Sequence, residues 1–387
     1  MEILVNRNEL WAGIDTVLDA VASKPALPIL ANILLSAEDG HLTITATDLD
    51  LSIRTKISAQ VKKKGSFTVQ ARTFAGIARE WPDAELSIKV EEERLLLSGK
   101  LGAQEGNEGA YALAGISPEE YPEVPTALEG LSIDCTVLED EALPIGDLIN
   151  KTAFAVSRDE TRPVLNGVLW KIDSEGMSMV ATDGHRLAQA RYILPLGEAI
   201  KGDEEREIIL PPQACSQVTK LFGASKALKK VTMGESQVLF EFDDTYLVTR
   251  IIEGPYVDYN QVIPQNNDKE LRLDKEVLIP AVRRVSLLAS SYTHQIRMKL
   301  AKNSIEMTAA SQEVGGEAKE QIPAMYDAEE MEVGYNANYL LEILRKTDDQ
   351  EIILELNDAV TAVLIRPGTH EENHEYFCLL MPLRPSG

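Results

Sequence analysis

Pro163-Val164-Leu165-Asn166-Gly167-Val168-Leu169-Trp170, followed by Val180-Ala181-Thr182-Asp183, decides the fold because the chain writes it more than once. Pro28-Ile29-Leu30-Ala31-Asn32-Ile33-Leu34-Leu35, followed by Thr45-Ala46-Thr47-Asp48, is the same phrase. Pro28 to Thr47 and Pro163 to Thr182 both span 19 residues. A worn third copy runs Ile296-Arg297-Met298-Lys299-Leu300, then Thr308-Ala309-Ala310-Ser311. The period is 135 residues from Thr47 to Thr182 and 128 from Thr182 to Ala310. Solenoid units repeat every ~20–50 residues, so this period is that of a whole domain. Repetition without a shared catalytic signature points to a scaffold before an enzyme.

A chain of 387 residues predicts two or three domains, and the repeat selects three. Their boundaries fall in the Pro- and Glu-rich stretch Tyr121 to Glu129 and the polar stretch Gln265 to Lys269, giving domains 1–128, 129–264 and 265–387. At 44% hydrophobic and 26% charged residues the chain is an ordinary globular one. Its opening, Met1 to Arg7, lacks the basic and apolar regions of a signal peptide, and no apolar run approaches the roughly 18 residues that span a bilayer. Cys135, Cys215 and Cys378 are scattered, with no CxxC pair, and read as reduced thiols of a cytoplasmic protein.

Each repeat contains the same parts twice: strand, helix, then two or three strands. Asn6 and Glu9 have capping-box spacing ahead of the stripe Leu10, Trp11, Ile14, Val17, Leu18 and Val21. Strand Ser66–Val69 precedes a helix with Phe74, Ile77, Ala78 and Trp81 on one face. The central repeat offers Ile145, Leu148, Ile149 and Thr152 on one helix and Val218, Leu221 and Phe222 on another. The last repeat offers Asp274 as a cap before Val277, Leu278, Ala281, Val282, Val285 and Leu288, with Pro280 expected to kink that helix or shift its start. Its second helix follows Asn336, with Tyr339, Leu340, Ile343 and Leu344 facing inward. Leu42–Thr45, Ile208–Leu210 and Ile352–Leu356 read as strands, and Lys62-Lys63-Lys64-Gly65 as a charged hairpin turn. Six short helices against antiparallel strands make an α+β fold.

The formal net charge of −24 argues against a nucleic-acid partner. The distribution argues otherwise. The helices carry Arg7, Arg72, Arg79, Lys151, Lys220, Arg283, Arg284, Arg345 and Lys346 on their other faces, and adjacent loops add Lys24, Arg158 and Arg162. Cations near helix C-termini also favour the macrodipole, and Asp15, Asp19 and Glu342 on the same helices fit a merely solvated face. Threefold repetition tilts the reading towards one common basic surface.

Catalytic patterns are thin. His370-Glu371-Glu372-Asn373-His374 matches HExxH, which in a zinc hydrolase needs both histidines on one helix face. Pro367-Gly368 before it and Tyr376–Leu380 after it predict a loop between strands instead. Asp183 and His185 lack a nucleophile in a GxSxG frame. No cofactor or metal is expected.

Lys24-Pro25-Ala26-Leu27-Pro28-Ile29-Leu30, Thr182-Asp183-Gly184-His185-Arg186-Leu187-Ala188, Tyr335-Asn336 and the ending Met381-Pro382-Leu383-Arg384 resemble the bacterial DNA polymerase III β subunits, the sliding clamps, across essentially the whole chain. The resemblance implies three clamp domains per chain and a head-to-tail homodimeric ring, with helices lining a channel for double-stranded DNA and sheets outside. It implies a processivity factor without chemistry of its own, which tethers the polymerase III α subunit, the clamp loader and other replication and repair proteins through short peptides with Leu and Phe anchors. The peptide pocket would comprise Leu165, Thr182, Gly184, His185, Arg186, Leu187, Val262, Asn336, Tyr339, Val360, Leu379, Leu380, Met381, Pro382, Leu383 and Arg384. DNA would meet Lys24 and the Arg158–Arg162 loop together with the helix cations. The ring seam would join Tyr111 and Leu113 to Leu287 and Leu288. Val257, Gln261 and Pro385 depart from the family pattern at the pocket, and the segment Gly102 to Gly109 is unusual against it.

Overall fold

The computed structural model describes residues 1–25, 27–102, 106–136, 143–193, 199–202, 205–224, 226–311 and 315–384. The first repeat runs β1 (Glu2–Asn6), α1 (Arg7–Val17), β2 (Asn32–Glu38), β3 (His41–Thr47), β4 (Leu51–Ser58), β5 (Gln60–Lys63), β6 (Gly65–Gln70), α2 (Ala71–Glu80), β7 (Glu85–Glu91), β8 (Arg94–Lys100) and β9 (Glu108–Ala114). The second runs β10 (Leu131–Asp134), α3 (Ile145–Thr152), β11 (Val168–Asp173), β12 (Gly176–Thr182), β13 (Arg186–Ile193), β14 (Ile200–Lys201), β15 (Arg206–Leu210), α4 (Pro212–Gly223), β16 (Leu228–Met233), β17 (Gln237–Phe242) and β18 (Thr245–Arg250). The third runs β19 (Lys269–Asp274), α5 (Lys275–Ser286), β20 (Gln295–Ala301), β21 (Ser304–Ser311), β22 (Gly316–Pro323), β23 (Met331–Asn336), α6 (Ala337–Lys346), β24 (Glu351–Leu356), β25 (Val363–Pro367) and β26 (His374–Leu380).

Two compact units result. One holds Met1–Ala142, Glu198–Asp203 and Gln213–Ile251, with a five-stranded sheet β5-β1-β7-β8-β9 and a nine-stranded sheet β14-β10-β16-β17-β18-β4-β3-β2-β6. The other holds Leu143–Gly197, Glu204–Pro212 and Ile252–Gly387, with an eight-stranded sheet β15-β11-β12-β13-β26-β25-β24-β19 and a four-stranded sheet β22-β21-β20-β23. The units cut across the three-repeat frame because sheets fuse between repeats. Within a repeat the two halves exchange their first strands: β1 pairs with β7 (Ile3 opposite Ile88) and β6 with β2 (Val69 opposite Ile33). The second and third repeats do the same through β10·β16, β15·β11, β19·β24 and β23·β20. Between repeats, the third strands after a helix pair: β4 with β18, and β13 with β26. Among the described residues, β9 and β22 are the two strands of this kind left at sheet edges.

Capping fixes the helix starts. Asn6 accepts from the amides of Asn8 (2.8 Å) and Glu9 (3.4 Å), and Asp274 accepts from Glu276 N (2.8 Å). With Asp274 in that role, Pro280 sits inside α5 without shifting its start. It deletes one ladder donor. Leu10, Ile14 and Val17 of α1 are fully buried, as the stripe predicts. At Gly13 a Cβ would meet Ile44 Cδ1 and Ile57 Cγ2 at 2.9 Å, so close packing of α1 requires glycine there. Tyr339 is half-buried rather than part of the core. The Lys62–Gly65 expectation fails: β5 pairs with β1 (Val61 opposite Ile3), whereas β6 pairs with β2, so the turn crosses between sheets. Local alternation sets which face is buried but not which distant strand is the partner. Among the described residues no helix is long and apolar enough to cross a membrane.

Candidate functional site

The turn between β12 and β13 is fixed from within. Thr182 Oγ1 accepts from Gly184 N (3.1 Å) and donates to the Arg186 carbonyl (2.6 Å). Asp183 Oδ1 accepts from the amides of His185 (2.8 Å) and Arg186 (3.0 Å). Gly184 has φ +89°, a left-handed conformation that side chains resist. This geometry leaves Gly184 and His185 exposed and buries Leu187. The Asp183 carboxylate is occupied by its own turn and by Arg186, so it does not serve His185 as a triad would.

The chain end is pinned beside this turn. Met381 N donates to the His185 carbonyl (2.9 Å), and Leu383 N to the Gly334 carbonyl (2.7 Å). Below lies an apolar cluster of Leu169, Val180, Leu187, Ile209, Tyr259 and Leu379, extended by Ala362, Leu364 and Phe377. Val164, Ile252, Tyr256 and Ile263 pack against it. Val262 (54%), Val360 (67%) and Met381 (40%) are exposed, each within two residues in sequence of a member or neighbour of that cluster: Ile263, Ala362 and Leu379. Exposed apolar side chains beside an apolar cluster are the composition of a docking surface.

The other expected pocket residues fall as follows. Leu165 is buried, its amide donating to the Arg162 carbonyl (3.0 Å). Asn336 and Tyr339 are half-buried at the start of α6, where Asn336 caps through the amides of Asn338 (2.9 Å) and Tyr339 (3.3 Å). Pro382 and Leu383 are half-buried and Arg384 is exposed. Leu380 departs from expectation: adjacent strand residues face opposite sides, and Leu380 is buried away from the cluster that holds Leu379. Arg186 also departs. Only 6% exposed, its guanidinium donates to Asp183 (3.2 Å), the Phe154 carbonyl (2.8 Å) and Glu342, and lies over the rings of Tyr339 (4.4 Å) and Phe154 (5.2 Å). Three of its five N–H donors are thereby engaged within the fold. The resemblance also points to the Tyr256–Tyr259 stretch as a wall, and both tyrosines pack at this cluster; Phe377 was missed by sequence reasoning, although its alternation with Leu379 along β26 marks that face. Val257 and Gln261 are exposed, and Pro385 lies outside the described residues.

The chain carries its own control. The turn after β3 repeats the turn after β12: Leu49 N donates to Thr47 Oγ1 (3.0 Å), and Asp48 Oδ1 accepts from the amides of Asp50 (3.1 Å) and Leu51 (2.7 Å). Leu49, at φ +82°, takes the place of Gly184. Arg250 N donates to the Asp50 carbonyl (2.8 Å), as Met381 N does to His185. Leu30 N donates to the Leu27 carbonyl (3.0 Å), as Leu165 does to Arg162. The backbone is thus written twice, but Arg250, Asp50 and Ser52 stand where the first site has Met381, His185 and Leu187. The second copy keeps exposed apolar side chains at Leu27 and Leu49, but is polar at these three positions.

The basic residues divide. Lys24, Arg72, Arg158, Arg283 and Arg345 are exposed and Lys346 is half-buried, and none makes an ion pair with a described residue. Arg79 pairs with Glu80, Arg162 with Asp159 (2.9 Å) and Arg284 with Glu320. Arg7 donates to the carbonyls of Ala78 and Arg79 and so caps the end of α2. Lys151 is not on an outward face. It is buried between Asp147 (3.0 Å) and Asp348 (3.2 Å), over the Tyr376 ring, because a carboxylate from a distant loop joins the one on its own helix. Lys220 of α4 is held by Asp15 of α1 (3.2 Å) and by Asp19 in the turn after it (3.0 Å). Burial pushes the Asp19 carboxyl up, but hydrogen bonds from Lys220 and Gln217 outweigh it and hold it below the usual carboxylate range.

The seam candidates are Tyr111 and Leu113 on β9, exposed and half-buried, and Leu287 and Leu288 after α5, exposed and half-buried. His370 to His374 form the tight connection of β25 to β26, so the two histidines do not share a helix face. His374 is half-buried and stacked on Tyr192, with ring centroids 4.2 Å apart. Burial pushes the thiols of Cys135, Cys215 and Cys378 up to about 12, far from a nucleophile's range.

Family models for the DNA polymerase III beta subunit match three consecutive stretches: the N-terminal domain at residues 1–125, the central domain at 142–258 and the C-terminal domain at 260–384. A beta sliding clamp of Synechococcus elongatus is 31% identical over 374 residues, covering 95% of this chain and 96% of the relative. The beta sliding clamp of Escherichia coli is 28% identical, covering 99% and 100%. Among solved structures, a sliding clamp from Bartonella birtlesii bound to griselimycin superposes with a TM-score of 0.88 at 28% identity, covering 99% of each chain. One from Caulobacter crescentus gives 0.83 at 29%, covering 99% of this chain and 100% of that one. The chain belongs to the DNA polymerase III beta subunit family, the non-catalytic bacterial sliding clamps.

Proposed function

We propose that two copies of this chain close head to tail into a ring around duplex DNA and tether the replicative polymerase through the Val360–Met381 cleft. One observation carries the ring. Repeats join through the third strand after each helix, β4 to β18 and β13 to β26, and the same rule leaves β9 of one copy to pair with β22 of the other. A heterologous contact that closes makes a ring, and closure hides strand edges that otherwise invite aggregation. The three repeats are the clamp domains, bounded near residues 128 and 264. The matched C-terminal stretch begins somewhat earlier, at residue 260. The polymerase III α subunit, the clamp loader and other polymerases and repair proteins dock by short peptides in the cytoplasm. Tethering supplies effective concentration rather than chemistry.

The test is retention on DNA. The protein is loaded onto a nicked circular plasmid with a clamp loader and ATP, the circle is cut, and bound protein is followed by gel filtration. Release on linearisation is the expected result. Retention unchanged by cutting would mean surface affinity and would end the ring reading.

Sliding needs weak phosphate attraction, and the paired cations provide a physical basis for it. A phosphate reaching Lys220 must displace two carboxylates. The Asp15→Asn/Asp19→Asn variant is therefore expected to bind linear duplex several-fold more tightly. The slope of log affinity against log salt should steepen by about 0.9 for the one cation released. Fluorescence anisotropy across a salt series measures both, and an unchanged slope would remove Lys220 from the DNA surface.

A further inference from the structure

We infer that Glu342 of α6, which lies outside the apolar cleft, is a positioning residue that sets the cleft's width by holding Arg186. This rests on the peptide-docking reading above. Arg186 is one link in a closed circuit of contacts around the cleft. Its guanidinium binds Glu342 and covers the Tyr339 ring, both on α6. The first turn of α6 is capped by Asn336, at the end of β23. Gly334, also on β23, accepts from Leu383 N (2.7 Å). Two residues earlier on the same tail, Met381 N donates to the His185 carbonyl (2.9 Å). His185 is the neighbour of Arg186, and its ring stacks at 6.4 Å on Tyr339. The turn and the tail that flank the cleft are therefore fixed to each other directly at one bond and indirectly through α6.

Glu342 is the replaceable member of this circuit. Asp183 is committed to the turn through two backbone amides, and the Phe154 carbonyl cannot be substituted. Glu342 is partly exposed, projects from a helix of sound packing and supplies only a carboxylate. A charge-assisted bond from an arginine fork is directional, so removing it leaves the turn held to α6 only by the Tyr339 ring contacts, while both stay folded. The cost falls on preorganisation: a loosened cleft must be ordered again when a peptide enters.

The experiment uses the full-length protein and a short fluorescein-labelled peptide carrying two leucines and a phenylalanine. Glu342→Gln is expected to weaken binding about tenfold. The thermal midpoint should hold, and amide exchange should rise at Met381 and Leu383 but not at Ala188 or Cys378 in the β13·β26 ladder. Arg186→Lys, which keeps the charge but loses the fork, should weaken binding further. Met381→Arg separates the two levels of the argument. If it abolishes binding while Glu342→Gln binds and exchanges like the parent, the latch is wrong and the cleft stands. If the parent does not bind, or Met381→Arg binds as the parent does, the docking reading falls and the latch with it.

Discussion

Leu287→Asp is expected to turn the ring into folded monomers. Leu287 is 74% exposed in the single chain, and Tyr111 on the edge strand β9 is 43% exposed. Neither exposure serves the monomer. The Tyr111 ring leans edge-on against buried Trp81, centroids 5.3 Å apart, which holds it ready for a partner. Leu288 packs near Gly316 at the start of β22, so the leucines belong to the same edge that the partner's strand would meet. Once β9 pairs with β22 of the second copy, an aspartate at 287 loses its water where the parent has an apolar side chain. An uncompensated buried charge costs ~3–5 kcal/mol. A closed ring contains the seam twice, so the penalty is about 6–10 kcal/mol, roughly 10⁴–10⁷ in the dissociation constant. Because position 287 is exposed in the monomer, the fold should be untouched. Sedimentation equilibrium would then report monomer, calorimetry would report the monomer's own transition, and loading on circular DNA would vanish. A variant that stays dimeric would mean the edges pair elsewhere.

Much of this fold is legible in the sequence, and the remainder is not for definite reasons. The helices are local: apolar spacing and the caps Asn6, Asp274 and Asn336 specify them without help from distant residues. The repeat is visible because Pro28–Asp48 and Pro163–Asp183 fulfil one backbone design, down to matching turn hydrogen bonds. Strand exchange is not visible. Nothing in Gln60–Lys63 states that it lies against β1 rather than folding back on β6, since both options satisfy its alternation. Charge placement is legible only as far as one element's face. Lys151 sits on α3 with a helix cation's spacing, but Asp348, almost two hundred residues away, draws it inside. The resemblance singles out Arg186 as a pocket residue. Only the packing shows that each of its three nitrogens already donates within the fold, to Asp183, Glu342 and the Phe154 carbonyl.

Met381→Arg is expected to abolish peptide docking and leave folding intact, because the chain already contains that experiment. Position 250 is the counterpart of 381, made by the same bond from its amide to the carbonyl of a matching turn. It carries arginine without loss of fold. A guanidinium at 381 therefore fits the backbone, and its exposed location gives it water. What it removes is the apolar wall. Burying a methionine side chain contributes ~1.5–3 kcal/mol, and a docked peptide would also desolvate the new cation. Together these make a loss of a hundredfold or more. The thermal midpoint should move by no more than a few degrees, since neither state of the free chain buries position 381. The converse variant, Arg250→Met, should gain little, because Asp50 and Ser52 still line that copy and one apolar group does not make a cleft. Peptide binding by anisotropy, beside thermal melts of both variants, reads the argument. Unchanged binding by Met381→Arg would place the docking site elsewhere. Lost binding with a collapsed midpoint would show that 381 supports the fold instead, against the precedent the same chain sets at 250.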